Sequence, residues 1–175
     1  AGAVVTNNTK LAQRIRAFKN HGSTIKNVHE SVGHNYRMDS LQAAVLSVKL
    51  KYLKQWTAQR RENAACYYTL LSGIEDLILP EQNPDANHVF HQFVIQTKQR
   101  DLLQSYLLDK GIESAVHYPI PCHLQPALAH LGYKKGDFPV SEQLSNEILS
   151  LPIAEHIKQQ DVEYICDKIK SFFAG

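Results

Sequence analysis

Gly33-His34-Asn35-Tyr36-Arg37-Met38-Asp39-Ser40-Leu41-Gln42-Ala43-Ala44 sets a donor-rich loop directly ahead of a helix. Asp39 is suited to cap that helix, with Gln42 three residues on in the manner of a capping box. Met38, Leu41, Val45, Val48 and Tyr52 form an apolar stripe at helical spacing. No proline or glycine intervenes before Gly73, so the sequence predicts a long helical stretch to about Leu71. A helix N-terminus offers unpaired N–H groups and a positive dipole end, and the Asn35 carboxamide and Arg37 guanidinium beside it would complete a place for a phosphate or carboxylate. On spacing alone the plainer role is favoured, in which both residues satisfy loop carbonyls or a neighbouring acid.

Working outward, Ala1-Gly2-Ala3-Val4-Val5-Thr6 reads as a β-strand whose neighbours would lie upstream, and the chain has the look of a piece of something longer. Asn7-Asn8 can cap a helix carrying Leu11, Ile15 and Phe18, which Asn20-His21-Gly22 stops, Gly22 by a left-handed cap. Residues 23–37 read as an ordered but irregular loop. Beyond a boundary near residue 73, Val89 to Thr97 reads as a strand, Asp101 to Lys110 as a helix closed by Gly111, and Ile112 to Val116 as a strand. A helix across Val140 to Leu149 follows, and a last one places Val162, Ile165, Ile169 and Phe172 on one face. The pattern is α/β.

In His117-Tyr118-Pro119-Ile120-Pro121-Cys122-His123 both prolines push the residue before them toward extended geometry, so this is a stiff loop at a strand end. Lining a cleft and forming a structural turn are equally well supported. Zinc is the weaker reading, because Cys122, His123, His117 and His130 match none of the paired structural-zinc spacings. The 175 residues carry 19 Lys and Arg against 17 Asp and Glu, scattered along the chain, which excludes an electrostatic footprint for nucleic acid or an anionic membrane. No apolar run approaches the roughly 20 residues of a membrane helix. Cys66, Cys122 and Cys166 are widely spaced, which favours free thiols and a cytoplasmic setting.

Taken together, Gly2-Ala3-Val4-Val5-Thr6-Asn7, Asn20-His21-Gly22, Asn35-Tyr36-Arg37-Met38-Asp39 with Leu41-Gln42-Ala43-Ala44, His117-Tyr118-Pro119 with Pro121 and His123, Gly132-Tyr133, Gly136-Asp137-Phe138-Pro139 and Ile148-Leu149-Ser150-Leu151-Pro152 resemble the DegT/DnrJ/StrS family of sugar aminotransferases. The resemblance implies the C-terminal part of a pyridoxal-phosphate fold type I (aspartate-aminotransferase-like) protein. Residues 1–72 would be the end of the large domain with a long connecting helix, and residues 73–175 the small α/β domain. It further implies pyridoxal 5'-phosphate as cofactor, an amino-acid donor such as L-glutamate, a nucleotide-linked keto-sugar as acceptor, and a homodimer. The Schiff-base lysine is expected upstream of Ala1, since Lys10, Lys19 and the other lysines match no such position, and the chain alone is expected to be inactive and to expose apolar surface. Asn35 matches the residue that reaches the cofactor phosphate of the neighbouring subunit. Tyr36, Arg37, His117, Tyr118 and His123 match substrate-contacting positions, and no metal is implied. A sugar dehydratase of the same family and a non-catalytic binding module are the competing readings.

Overall fold

The computed structural model describes residues 2–175, which form two compact units, the first ending at Leu53 and the second running from Lys54 to Gly175. In the first unit, helix α1 (Thr9–Phe18) opens where expected, the Asn8 side chain accepting the Leu11 N–H at 3.0 Å. Helix α2 (Ser40–Leu50) is capped at Asp39, but the Asp39 side chain makes no capping bond, so the expected capping box is not formed. Residues 2–6 are not a strand, because no segment among the described residues offers them ladder partners. The long helix also divides. The Lys51 and Tyr52 N–H groups bond three residues back, to Val48 and Lys49, a tightened turn that ends α2 before helix α3 (Leu53–Leu71) begins.

Among the described residues, no buried hydrophobic side chain lies in the first unit, and Leu41, Val45 and Val48 on α2 stay exposed. Main-chain bonds set its shape instead. The Asn20 and Asn35 backbones form an antiparallel bridge, flanked by His34 N–H to Phe18 at 2.7 Å and Tyr36 N–H to Lys19 at 2.9 Å. This crossing requires glycine twice: a Cβ on Gly22, whose φ is +72°, would lie 1.7 Å from the Ser31 carbonyl oxygen, and one on Gly33 would lie 2.1 Å from the Gly22 nitrogen.

The second unit holds the core. Strands β1 (Phe93–Gln96) and β2 (Ile148–Leu151) pair antiparallel with Phe93 opposite Leu151 and Ile95 opposite Leu149, all four buried. Helix α4 (Arg100–Asp109) adds Leu103 and Leu107, and α6 (Gln159–Ala174) adds Val162, Ile165, Cys166 and Ile169 at helical spacing. Helix α3 contributes Ala64, Tyr67 and Leu71 to the same core, so it packs with the second unit although the sequence division at 72/73 grouped it with the first. Burial drives the Cys166 thiol pKa up to about 12, which keeps it a small apolar filler.

Three expected elements differ. Residues 89–92 are not strand, because Arg60 and Arg61 draw off the carbonyls of Phe90, His91, Asn87 and His88. The expected strand at 112–116 reduces to a bridge between Ala115 and Ser150. The helix expected to reach Leu149 is α5 (Pro139–Glu147), and it stops where Ile148–Leu151 find ladder partners in β1, pairing that outweighs helix continuation. None of the helices among the described residues is long and apolar enough to cross a membrane.

Candidate functional site

The first group of candidates sits on the loop between α1 and α2. The Asn20 bridge fixes the Asn35 backbone, and the exposed Asn35 side chain is left out of the hydrogen bonding that holds the loop. Arg37 donates through its guanidinium to the Asn20 side-chain oxygen. Tyr36 stacks on His34 with centroids 4.9 Å apart, and Phe18 meets both rings edge-on. Arg37, Asn20, Arg16 and Lys19 line an open cavity of about 480 Å³. The donor chemistry suits an anion: a carboxamide N–H held out on a pinned backbone and guanidinium and ammonium groups nearby.

The second group sits in the second unit, where Ala115 pairs with Ser150 through reciprocal bonds of 2.7 and 3.2 Å and hands the chain to the proline loop. His117 is half-buried, its Nδ1 2.9 Å from the Ser150 Oγ. Tyr118, joined to it by a cis peptide, is 70% exposed and meets the His117 ring edge-on. His123 lies apart from this pair. It is buried in a 3₁₀ turn (Cys122–Leu124), its Nε2 2.9 Å from Glu142 and its ring 4.8 Å from that of Phe138. The same Glu142 oxygen accepts the Gly136 N–H at 2.7 Å. That bond, with help from His123 and the Phe138 N–H, holds the Glu142 carboxyl below its ordinary pKa against the opposing effect of desolvation.

Asn35, Tyr36 and Arg37 thus share one loop, and His117 and Tyr118 share another, with Asn20, Ser150 and Glu142 as partners that the sequence reading did not name as site residues, although Asn20 and Ser150 stand inside motifs it quoted. Glu142 left a signal, an acid in the first turn after Phe138-Pro139, whereas the partner of Ser150 is set by a bridge to Ala115 far away in the chain. A further cavity, about 440 Å³, is lined by Glu75, Asp76 and Glu147 and contains none of the candidates. Its carboxylates would repel a phosphate.

The fold is that of the C-terminal portion of α/β, fold type I sugar aminotransferases. It superposes on Streptomyces venezuelae DesV, solved in complex with a ketimine intermediate, with a TM-score of 0.93 and 37% identity over 98% of this chain and 46% of that one. A DegT/DnrJ/EryC1/StrS aminotransferase from Brucella abortus gives 0.88 at 32% identity, over 97% and 45%. The chain belongs to the DegT/DnrJ/EryC1/StrS aminotransferase family, whose model matches residues 1–170. Similar relatives include the erythromycin biosynthesis sensory transduction protein EryC1 of Saccharopolyspora erythraea, 46% identical over 97% of this chain and 46% of its own length. The pleiotropic regulatory protein of Geobacillus stearothermophilus is 43% identical over 98% and 47%, and the dTDP-3-amino-3,4,6-trideoxy-alpha-D-glucose transaminase of Streptomyces venezuelae 39% over 98% and 45%. The chain spans about half the length of the curated relatives it matches.

Proposed function

We propose that, within a complete protein of its relatives' length, this chain supplies the C-terminal half of an enzyme that moves an amino group from an amino acid, L-glutamate, to a keto-sugar carried on a nucleoside diphosphate. The observation that carries this reading is likeness along nearly the whole chain to proteins named as nucleotide-sugar transaminases acting on dTDP- and UDP-linked sugars. Those names favour amino transfer over dehydration. Pyridoxal 5'-phosphate, when bound, supplies the electron sink that lets an amino group leave one carbon and join another. The donor set fits its phosphate end: Asn35 donates its carboxamide N–H to the phosphate of the neighbouring subunit of a homodimer. Asn20 aims Arg37, and Tyr36 is stacked on His34, so both meet the substrate without reorganising. His117 and Tyr118 line the sugar-nucleotide pocket, while Glu142 holds His123 to shape the loop rather than touch substrate. Residues 1–72 form the end of the large domain together with the connecting helix α3, which packs into the core of the small domain, residues 73–175, in a cytoplasmic enzyme.

The regulatory names of two relatives at 43% and 46% identity support a second reading, a sugar-nucleotide-binding protein without turnover. The complete reading frame, incubated with pyridoxal 5'-phosphate, L-glutamate and a panel of dTDP- and UDP-linked 3- and 4-keto-sugars, separates the two. Release of 2-oxoglutarate with formation of an amino sugar is expected. Binding of a nucleotide sugar with no 2-oxoglutarate from any of the panel would establish the second reading instead.

A further inference from the structure

Ser150 lies between Leu149 and Leu151, both buried against the core, so period-two alternation turns its side chain to the opposite face of β2. That face is covered too, and Ser150 is only 7% exposed. A hydroxyl buried there needs a partner, and the one it meets is the His117 Nδ1 at 2.9 Å. The ladder explains the meeting. Ala115 is bridged to Ser150, so His117, two residues on, lies on the same face as the diagonal neighbour, a separation a histidine side chain spans. Both backbone hydrogen bonds of Ser150 go to Ala115, and Val94 of β1 lies opposite it in the ladder, which leaves the hydroxyl little freedom to move away.

We propose that Ser150 is the positioning residue for His117: its hydroxyl holds Nδ1 and so fixes the ring plane, leaving Nε2 as the nitrogen offered to the nucleotide sugar. The ring-holding half of this inference rests on geometry alone; the substrate half rests on the function proposed above. An imidazole held at one nitrogen keeps its orientation without cost at binding, and a serine hydroxyl, which both donates and accepts, lets Nε2 serve as acceptor or donor.

The test has two arms that fail separately. In the full chain labelled with ¹⁵N-histidine, the His117 Nδ1 is expected to show the shift of a hydrogen-bonded ring nitrogen, and Ser150→Ala to move it toward the value of a free imidazole while Ser150→Thr retains it. Unchanged His117 shifts in Ser150→Ala overturn the proposal whatever the enzyme does. In the complete enzyme, Ser150→Ala is expected to raise KM for the nucleotide sugar about tenfold, the worth of one oriented hydrogen bond, with kcat and the glutamate half-reaction little changed. Added to His117→Ala, the same substitution is expected to do nothing further, and an additive effect there overturns the positioning role. Absence of any amino transfer by the wild-type enzyme would refute the proposed function but leave the ¹⁵N result to decide the Ser150–His117 link.

Discussion

Tyr67→Phe tests how β2 is held at the depth the His117 loop needs. The Tyr67 side chain is fully buried, its ring stacks on Phe93 with centroids 4.8 Å apart, and its hydroxyl donates to the Pro152 carbonyl at 2.8 Å, just past the end of β2. Phenylalanine keeps the stack and most of the volume, so only the hydrogen bond and the satisfaction of a carbonyl are lost. A neutral bond contributes about 1 kcal/mol net and an unmet carbonyl about 1–3 kcal/mol, which places the expected destabilisation at about 2 kcal/mol. With a urea m-value of about 2 kcal/mol/M for a domain of this size, the midpoint should fall by about 1 M at unchanged slope. The assay is urea unfolding followed by far-UV circular dichroism, with Tyr67→Ala as the larger reference at about 3–5 kcal/mol. An unchanged midpoint in Tyr67→Phe would show that the Pro152 carbonyl finds another donor, and that Tyr67 acts through packing alone.

Asn35→Ala in the complete enzyme should weaken pyridoxal-phosphate retention by about 1.5–3 kcal/mol, the value of a charge-assisted hydrogen bond, and equilibrium dialysis showing unchanged affinity would remove Asn35 from the phosphate site. Ser114 Oγ is buried without a hydrogen-bond partner, so Ser114→Ala should raise stability by about 1 kcal/mol, whereas a loss in thermal unfolding would reveal a hidden partner. The lowered pKa of Glu142 means its contribution to stability is present above the ordinary carboxyl value of 4.5 and is lost as pH falls through the folded value. Glu142→Gln should therefore flatten the acid limb of the stability profile, and an acid limb identical to wild type would assign the loss to other carboxylates.

Where the sequence was legible, one periodicity answered one environment. On α6, Val162, Ile165 and Ile169 are buried and Phe172 packs against the core, as their spacing predicts, because a single face of that helix meets a single core. The stretch Val140 to Leu149 was not legible in this way. A four-residue apolar strand following a helix carries too few residues to show its own period, and the ladder with Phe93–Gln96 that decides the matter is made by residues far away in the chain. The same distance hid Ser150. Nothing near it in sequence reveals that residues 115–117 cover its face, whereas His117 announced itself through the prolines beside it.

The two candidate loops reach their shapes by different physics, and this bears on how each can work. Among the described residues, the loop carrying Asn35 has no buried apolar side chain in its own unit to brace it. Its conformation rests on main-chain bonds across the Gly22–Gly33 approach, where any Cβ would collide with backbone that has no rotamer to change. Position there is set by which residue is absent, and the exposed carboxamide is free to be matched by a ligand's phosphate. The loop carrying His117 is braced the other way, by a strand whose leucines fill a core and whose intervening serine reaches back to hold the ring. Substitutions in the first loop should therefore act through backbone geometry, while those in the second act through the packing of β2.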